Sequence, residues 1–367
     1  MPIVGEMSLP PMFVTRKFPP SVGGMETLAS GVWEVLRESD DNAILVSHRG
    51  SNSTLLLWLP VAAWKVAWSL LRRQVGFVLV GDAATYAFLH PILRLLGADY
   101  GTMVMGLDLT YGNRVYRYVV YRALQRAPLV LAISEATART TEEIGVPKER
   151  IRVVRPGIPV PRVNADTRSR ARATLISALG ILNDSVLVLS LGRLVRRKGF
   201  RWFVEHVLPA TASEVHYLVA GGGPEAGAII EAARAAGVSD RVHLLGQVGD
   251  HLRDQLFFGC DLMVQPNIRV PNDVEGFGLV IIESTLRGTP VVAASLQGIK
   301  DAVVDRVTGL LVPTESSSDW CELIVKLTSD PSELEVLGAT FRENAIDLYG
   351  QERMARELLS VIDNSQT

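Results

Sequence analysis

Residues 275–293 read EGFGLVIIESTLRGTPVVA. Gly276 and Gly278 forbid a regular helix before about residue 279, so Glu275 stands on a loop. LVIIESTLRG then runs as a helix, ended by Gly288-Thr289-Pro290. TPVVAAS, residues 289–295, follows as a strand rich in β-branched side chains. Glu283 lies about one turn into the helix, among Ile281, Ile282 and Leu286. A carboxylate there is expensive to bury unless something pairs with it, and the two hydroxyls of a ribose would serve.

The same grammar extends in both directions. PMFVTRKF, NAILVSHR, FVLVGD, YGTMVMG, LVLAIS and RIRVVRPG read as strands in the first half. VLVLSLGRL, VHYLVAGGG, RVHLLGQV, DLMVQPN, TPVVAAS and TGLLVP do so in the second. These apolar runs do not alternate, which suits strands buried on both faces. Helical stretches such as METLASGVWEVLRES and AGAIIEAARAAGV separate them. The alternation predicts an α/β fold of βα units on a parallel sheet, and it happens twice. A chain of 367 residues, 48% of them hydrophobic, suits two domains with a core each. The break is expected at PGIPVPRVNADTRSR, residues 156–170, a linker with three prolines. RARATLISALGI then opens the second half as a helix, and the last stretch, residues 332–363, reads as amphipathic helix.

The net charge of −2 makes no case for a nucleic-acid partner. Residues 1–165 hold 18 Lys and Arg against 13 Asp and Glu, and residues 166–367 hold 19 against 26. The basic first half hints at an anion or an anionic surface. Cys260 and Cys321, each among apolar residues, read as buried free thiols with no disulfide or metal spacing. The start, MPIVGEMSLPPMFVTRK, lacks a charged segment followed by an apolar one, so no signal peptide is expected. LLLWLPVAAWKVAWSLL, residues 55–71, is apolar, but Pro60, Lys65 and the closing Arg72-Arg73 argue against a membrane span. It reads first as a helix packed in a core. The other reading is a helix on a membrane surface, anchored by Trp58, Trp64 and Trp68 beside Lys65, Arg72 and Arg73.

Phosphate chemistry is suggested at three places. In SLGRLVRRKGF, residues 190–200, a strand ends, Gly192 turns the chain, and Arg193 and Lys198 stand in a loop of four cations. Ligands of open α/β sheets bind at the carboxyl ends of strands, and guanidinium and ammonium groups there suit a diphosphate. A solvated basic loop is the plain alternative. LVAGGGPE, residues 218–225, allows close approach of backbone, yet it is neither a dinucleotide nor a P-loop fingerprint. SVGGMETLASG, residues 21–31, is a glycine pair opening a helix, a place where free amides attract phosphate. Glu275 and Glu283 are then expected to grip the two ends of one ligand.

SLGRLVRRKG, LVAGGGPE, RVHLLGQV, DLMVQPN, EGFGLVIIESTLRGTPVVA and VTGLLVP occur in this order. The set resembles the C-terminal domain of group 1 (family four) retaining glycosyltransferases. KFPPSVGGME and VLAISEATARTTEEIGVPKERIRVVRPGI are similar to parts of their N-terminal domain. The resemblance implies the GT-B fold, two Rossmann-like domains facing a central cleft. Residues 1–165 would bind the acceptor and residues 166–344 the nucleotide-sugar donor, with a helix from about residue 345 to 367 packing back on the first domain.

By the resemblance, Arg193 and Lys198 bind the donor diphosphate and stabilise the leaving nucleotide. Glu283 holds the ribose, and Glu275, with the backbone of Gly276, Phe277 and Gly278, holds the sugar and its β-phosphate. Gly23 and Gly24 close over the phosphates, and Gly192, Gly222, Gln247, Val248 and Leu279 complete the donor side. No metal and no cofactor is implied, the nucleotide-diphosphate sugar being a co-substrate. Two departures stand out. Met105 occupies the place of the family's histidine in VMGLDLTYGNR, leaving Asp108 to take part, and Asn267 stands where serine is common.

The helix GNRVYRYVVYRALQR, residues 112–126, interleaves arginine and tyrosine. It reads either as a solvated helix or, through Asn113, Arg114, Arg117 and Tyr121, as the acceptor side. The acceptor would then be a hydroxyl compound, lipid-linked or otherwise, with peripheral membrane contact. The expected activity is metal-independent glycosyl transfer with retention, in cell-surface glycan, glycolipid or glycoside synthesis. The expected location is the cytoplasm, at the inner face of the plasma membrane. A GT-B nucleotide-sugar epimerase and an inactive nucleotide-sugar-binding homologue remain as alternatives. A dehydrogenase is disfavoured, because no GxGxxG with a downstream acid is found.

Overall fold

The structure, a computed structural model, describes residues 9–21, 23–50, 52–271 and 273–365. The first eight residues, part of the start read for a leader, lie outside the described residues. The chain forms two compact units, Met1–Ile158 with Tyr349–Thr367, and Pro159–Leu348.

The first unit runs β1 (Pro11–Thr15), α1 (Gly24–Ser39), β2 (Ile44–Ser47), α2 (Leu55–Leu71), β3 (Phe77–Val80), α3 (Ala83–Leu95), β4 (Asp99–Val104), α4 (Leu107–Thr110), α5 (Arg114–Leu124), β5 (Val130–Ala132), α6 (Glu135–Glu143) and β6 (Ile151–Val153). Its strands pair in parallel, in the order β2-β1-β3-β4-β5-β6. β1 and β3 are buried along their whole length, as their unbroken apolar sequences require. Buried side chains of α2, α3 and α5 share one core with alternate residues of the sheet, Val78 and Val80 among them.

The second unit runs α7 (Ala165–Leu179), β7 (Val186–Leu191), α8 (Phe200–His206), β8 (Val215–Ala220), α9 (Ala226–Ala235), β9 (Val242–Gly246), α10 (Asp250–Gly259), β10 (Leu262–Gln265), α11 (Leu279–Leu286), β11 (Val291–Ala294), α12 (Ile299–Ala302), β12 (Leu310–Val312), α13 (Ser317–Thr328) and α14 (Pro331–Tyr349). Its parallel sheet has the order β12-β11-β10-β7-β8-β9. The chain builds outward from β7 on one side and then returns to add β10 on the other. Ligands of such sheets sit at this point of reversal, outside the carboxyl ends of the strands. α15 (Gln351–Ser365) belongs to the first unit, where it packs against α1 and Arg353 donates to the carbonyls of Arg155 and Pro156.

Several expectations needed revision. The expected linker is shorter, because Asn164 accepts a hydrogen bond from the Thr167 amide at 2.7 Å and starts α7 early. The C-terminal helix is two helices, α14 and α15, parted at Gly350. Cys260 is fully buried, whereas Cys321 is only partly so. α2 has the expected length and packs one side into the core through Ala62, Ala63 and Val66. Ala62, Ala63, Val66 and Ser69 are buried, Trp58 and Leu70 are half-buried against the same core, and Leu56, Leu57, Val61, Trp64, Trp68 and Leu71 are exposed.

Candidate functional site

In the second unit the site grows from the carboxyl ends of β7 and β10. After β7 the chain turns at Gly192 and winds a short turn, Arg196–Lys198, that ends at Gly199. Gly199 has φ of +68° and sits against the carbonyl of Pro266, so a side chain there meets both strain and backbone. The amide of Ile268 donates to the Arg197 carbonyl at 2.9 Å, tying this turn to the loop after β10. Gly221, with φ of +140°, rests against the Gly192 carbonyl and brings the end of β8 beside the same turn.

Glu275 is the centre of charge. Its Oε2 receives the Lys198 ammonium at 2.7 Å, Arg197 Nη1 at 2.9 Å and Asn267 Nδ2 at 3.1 Å. Arg197 Nε also bonds Asp273 at 2.8 Å. Burial would raise the Glu275 carboxyl, but Lys198 and Arg197 outweigh it and hold the group at about 2. Its backbone is fixed too, since its amide donates to Gln297 Oε1 at 2.8 Å and its carbonyl accepts from the Gly298 amide at 3.2 Å. Asn267 Oδ1 is buried without a partner among the described residues. Arg193, one turn earlier, is exposed and pairs with no acid among the described residues.

The loop Glu275–Gly278 leads into α11, whose first-turn amides have no carbonyl within the helix. Phe277 is buried, and Gly278 and Leu279 are half-buried. Glu283, within α11, is buried, with Arg253 Nη1 at 3.6 Å. Burial raises its carboxyl, partly opposed by Arg253 and Arg287. Gln247 is exposed beside Gly222, and the next residue, Val248, is half-buried.

The first unit carries its own cluster at the carboxyl ends of β1, β3 and β4. Asp82 caps α3, accepting from the amides of Ala84 at 3.1 Å and Thr85 at 2.9 Å, and Arg16 Nε bonds it at 2.8 Å. Asp108 accepts from the amides of Met105 at 2.9 Å and Ala83 at 3.3 Å. Burial, aided by the charge of Asp82, pushes the Asp108 carboxyl up to about 6. Gly23 and Gly24 open α1, where Glu26 lies close to Gly23 and pairs with Lys17 at 3.6 Å. Asn113 Oδ1 caps α5, and the Tyr121 hydroxyl donates to the Leu109 carbonyl at 2.6 Å, so both polar groups serve the fold. Arg114 and Arg117 are exposed.

The structure thus joins Lys198 to Glu275, and Gly222 to Gln247. Arg197, Asp273, Gln297 and Arg253 were missed. Nothing in the run of three cations at 196–198 tells which will turn inward. Asp82 and Arg16 were missed as well, although Asp before AAT is a helix-start signal at a strand end. Among the described residues, no three His, Cys, Asp or Glu are grouped to hold a metal ion, and no helix is long and apolar enough to cross a membrane.

The model of the family "Glycosyl transferases group 1" matches residues 172–345, and that of "Glycosyltransferase Family 4" matches residues 22–162. The chain is 34% identical to a D-inositol 3-phosphate glycosyltransferase of Rhodococcus opacus over 255 residues, 65% of this chain. It spans about half the length of that relative, 55%. It is 26% identical to a GDP-mannose-dependent alpha-(1-6)-phosphatidylinositol monomannoside mannosyltransferase of Mycobacterium tuberculosis, covering 95% of this chain and 96% of that protein. In fold it is similar to the Anabaena protein Alr3699/HepE, solved with UDP and glucose, with a TM-score of 0.80 at 19% identity over 97% of this chain and all of that one. The chain belongs to the group 1, family-four glycosyltransferases and has the GT-B fold.

Proposed function

We propose that the chain transfers a sugar from a nucleotide-diphosphate sugar to a hydroxyl acceptor, with retention and without a metal ion. The observation that carries this reading is the convergence of Lys198, Arg197 and Asn267 on one oxygen of Glu275, at the reversal point of the second sheet. The reaction breaks the bond from the anomeric carbon to the β-phosphate oxygen. It forms one to the acceptor oxygen, whose proton passes to the departing β-phosphate oxygen. Negative charge grows on the diphosphate, and Arg193 and Lys198 supply the fixed countercharge. Glu275 holds the sugar and keeps Lys198 in place, while Gly276, Phe277 and Gly278 offer backbone to sugar and β-phosphate. Glu283 takes the ribose, with Arg253 3.6 Å away, partly offsetting the effect of burial on its carboxyl. Gly192, Gly222, Gln247, Val248 and Leu279 line the donor.

The acceptor side uses Arg114 and Arg117. Relatives named for D-inositol 3-phosphate and for a phosphatidylinositol monomannoside support a polyol or lipid-linked hydroxyl acceptor. The reading puts the protein in the cytoplasm, in peripheral contact with the inner face of the plasma membrane, serving cell-surface glycan, glycolipid or glycoside synthesis.

The test is an incubation with candidate nucleotide sugars, with and without polyol and phosphoinositide acceptors, followed by NMR of the anomeric signals. Free nucleotide diphosphate together with a glycoside of unchanged anomeric configuration, in EDTA, is the expected result. A sugar altered without acceptor indicates an epimerase and contradicts the reading, as does no turnover with any donor.

A further inference from the structure

The first unit leaves one side of its sheet apolar on the outside as well as the inside. α3 packs against both α2 and α5, and the three helices cover the same face. On α2 the side chains Leu57, Val61, Trp64, Trp68 and Leu71 recur every three or four residues, and all are exposed, Leu57 by 75% and Trp64 by 62%. Trp64 and Trp68 stack with ring centres 5.9 Å apart, and the Arg72 guanidinium lies 4.4 Å from the Trp68 ring. α3 adds exposed Phe88 and Leu95, and α5 adds Val115 and Tyr118. Large exposed apolar side chains concentrated on three neighbouring helices are what an interaction site presents.

Charge identifies the occupant. Residues 55–126 contain eight Lys and Arg against three Asp and Glu. Two of those three acids, Asp82 and Asp108, are buried, while Lys65, Arg72, Arg73, Arg114, Arg117 and Arg122 are exposed. Helices that expose tryptophan, leucine and arginine, in a stretch (55–126) whose one exposed acid is Asp99 at the start of β4, suit an anionic bilayer, where the rings sit at the headgroup level and the cations meet lipid phosphate. A second copy of the chain suits it poorly. A twofold interface presents the same patch from both sides, so it sets these cations against each other.

We infer that the outer face of α2, continued by α3 and α5, is a docking surface for an anionic lipid bilayer, with Trp64 and Trp68 inserted among the headgroups. The inference rests on the reading of the chain as a transferase with peripheral membrane contact, and its test separates the two. The full chain is floated with vesicles of phosphatidylcholine alone and of phosphatidylcholine with phosphatidylglycerol. Wild type is compared with the double variants Trp64→Ser/Trp68→Ser and Lys65→Gln/Arg73→Gln.

Wild type is expected to float with the anionic vesicles, and less so at high salt. The tryptophan variant stays at the bottom. Each lost cation weakens binding roughly fivefold, the equivalent of about 1 kcal/mol. Flotation of the tryptophan variant like wild type overturns the inference, as does equal flotation with both vesicle types or none with either. A wild-type dimer that Trp64→Ser/Trp68→Ser dissociates, without flotation, assigns the face to a second copy. The thermal shift induced by UDP, GDP, ADP or TDP is read on the same samples. If it persists while flotation fails, only the docking inference falls. If it is absent while flotation succeeds, only the transferase reading falls.

Discussion

The Lys198 ammonium lies 2.7 Å from Glu275 Oε2, and the two residues are 9% and 12% exposed at their side chains. This pair sits between a cation-rich turn and the N-terminus of α11, so its acid balances charge that a diphosphate would otherwise meet unopposed. Glu275→Gln removes that acid with little change of shape. Nucleotide diphosphate is expected to bind as well as before or tighter, while turnover falls about a hundredfold or more, at 1.4 kcal/mol per tenfold. Calorimetry and initial rates separate the two effects. Equal losses in both contradict the assigned role.

The same carboxyl predicts an acid dependence of stability. Its folded value of about 2 lies below the ordinary 4.5, so its contribution is present above pH 4.5 and is lost as pH falls through about 2. The stability advantage of wild type over Glu275→Gln therefore shrinks on acidification in that window. Urea titrations at a series of pH values measure it, and an advantage constant with pH contradicts the ion-pair account.

Arg197 and Arg193 should part company. Arg197 is buried on Asp273 and Glu275, so Arg197→Ala leaves two acids short of a partner and costs about 3 kcal/mol. Arg193 is exposed, and Arg193→Ala should change stability by no more than about 0.5 kcal/mol. Its turnover should nevertheless fall about tenfold. Thermal melts and rates on the two variants check both halves.

Asp108 gives the opposite pH sign. Its folded value of about 6 lies above the ordinary 3.8, so its contribution is full below pH 3.8 and is lost as pH rises through 6. That is about 3 kcal/mol, from 1.36 kcal/mol per unit. Wild type should therefore lose ground to Asp108→Asn between pH 4 and 7 in urea unfolding. A difference that does not change over this range contradicts burial as the cause.

The strands were legible because parallel strands buried on both faces carry unbroken apolar runs. FVLV and VVAA announce β3 and β11 without help from context. The βα grammar placed Glu275 on a loop and Glu283 in a helix for the same local reasons. Partners distant in the chain were not legible. Arg253 precedes Glu283 by thirty residues, and Gln297 follows Glu275 by twenty-two, so only the folded sheet brings them together. For α2 two surroundings stayed open, because an apolar helix has the same composition whether it faces a core or a bilayer. Which side chains meet Val78 and Tyr86 is decided by packing: Ala62, Ala63 and Val66 took the inner positions, Trp58 is half-buried against the core, and Trp64 and Trp68 took the outer ones.

The central claim is that the second unit holds a nucleoside diphosphate with its ribose on Glu283. Isothermal titration with UDP, GDP, ADP and TDP, wild type beside Glu283→Ala, tests it most directly. The account predicts that one of these nucleotides binds wild type and that Glu283→Ala weakens it about tenfold or more, 1.4 kcal/mol. Binding of none of them, or equal binding to both proteins, would contradict it.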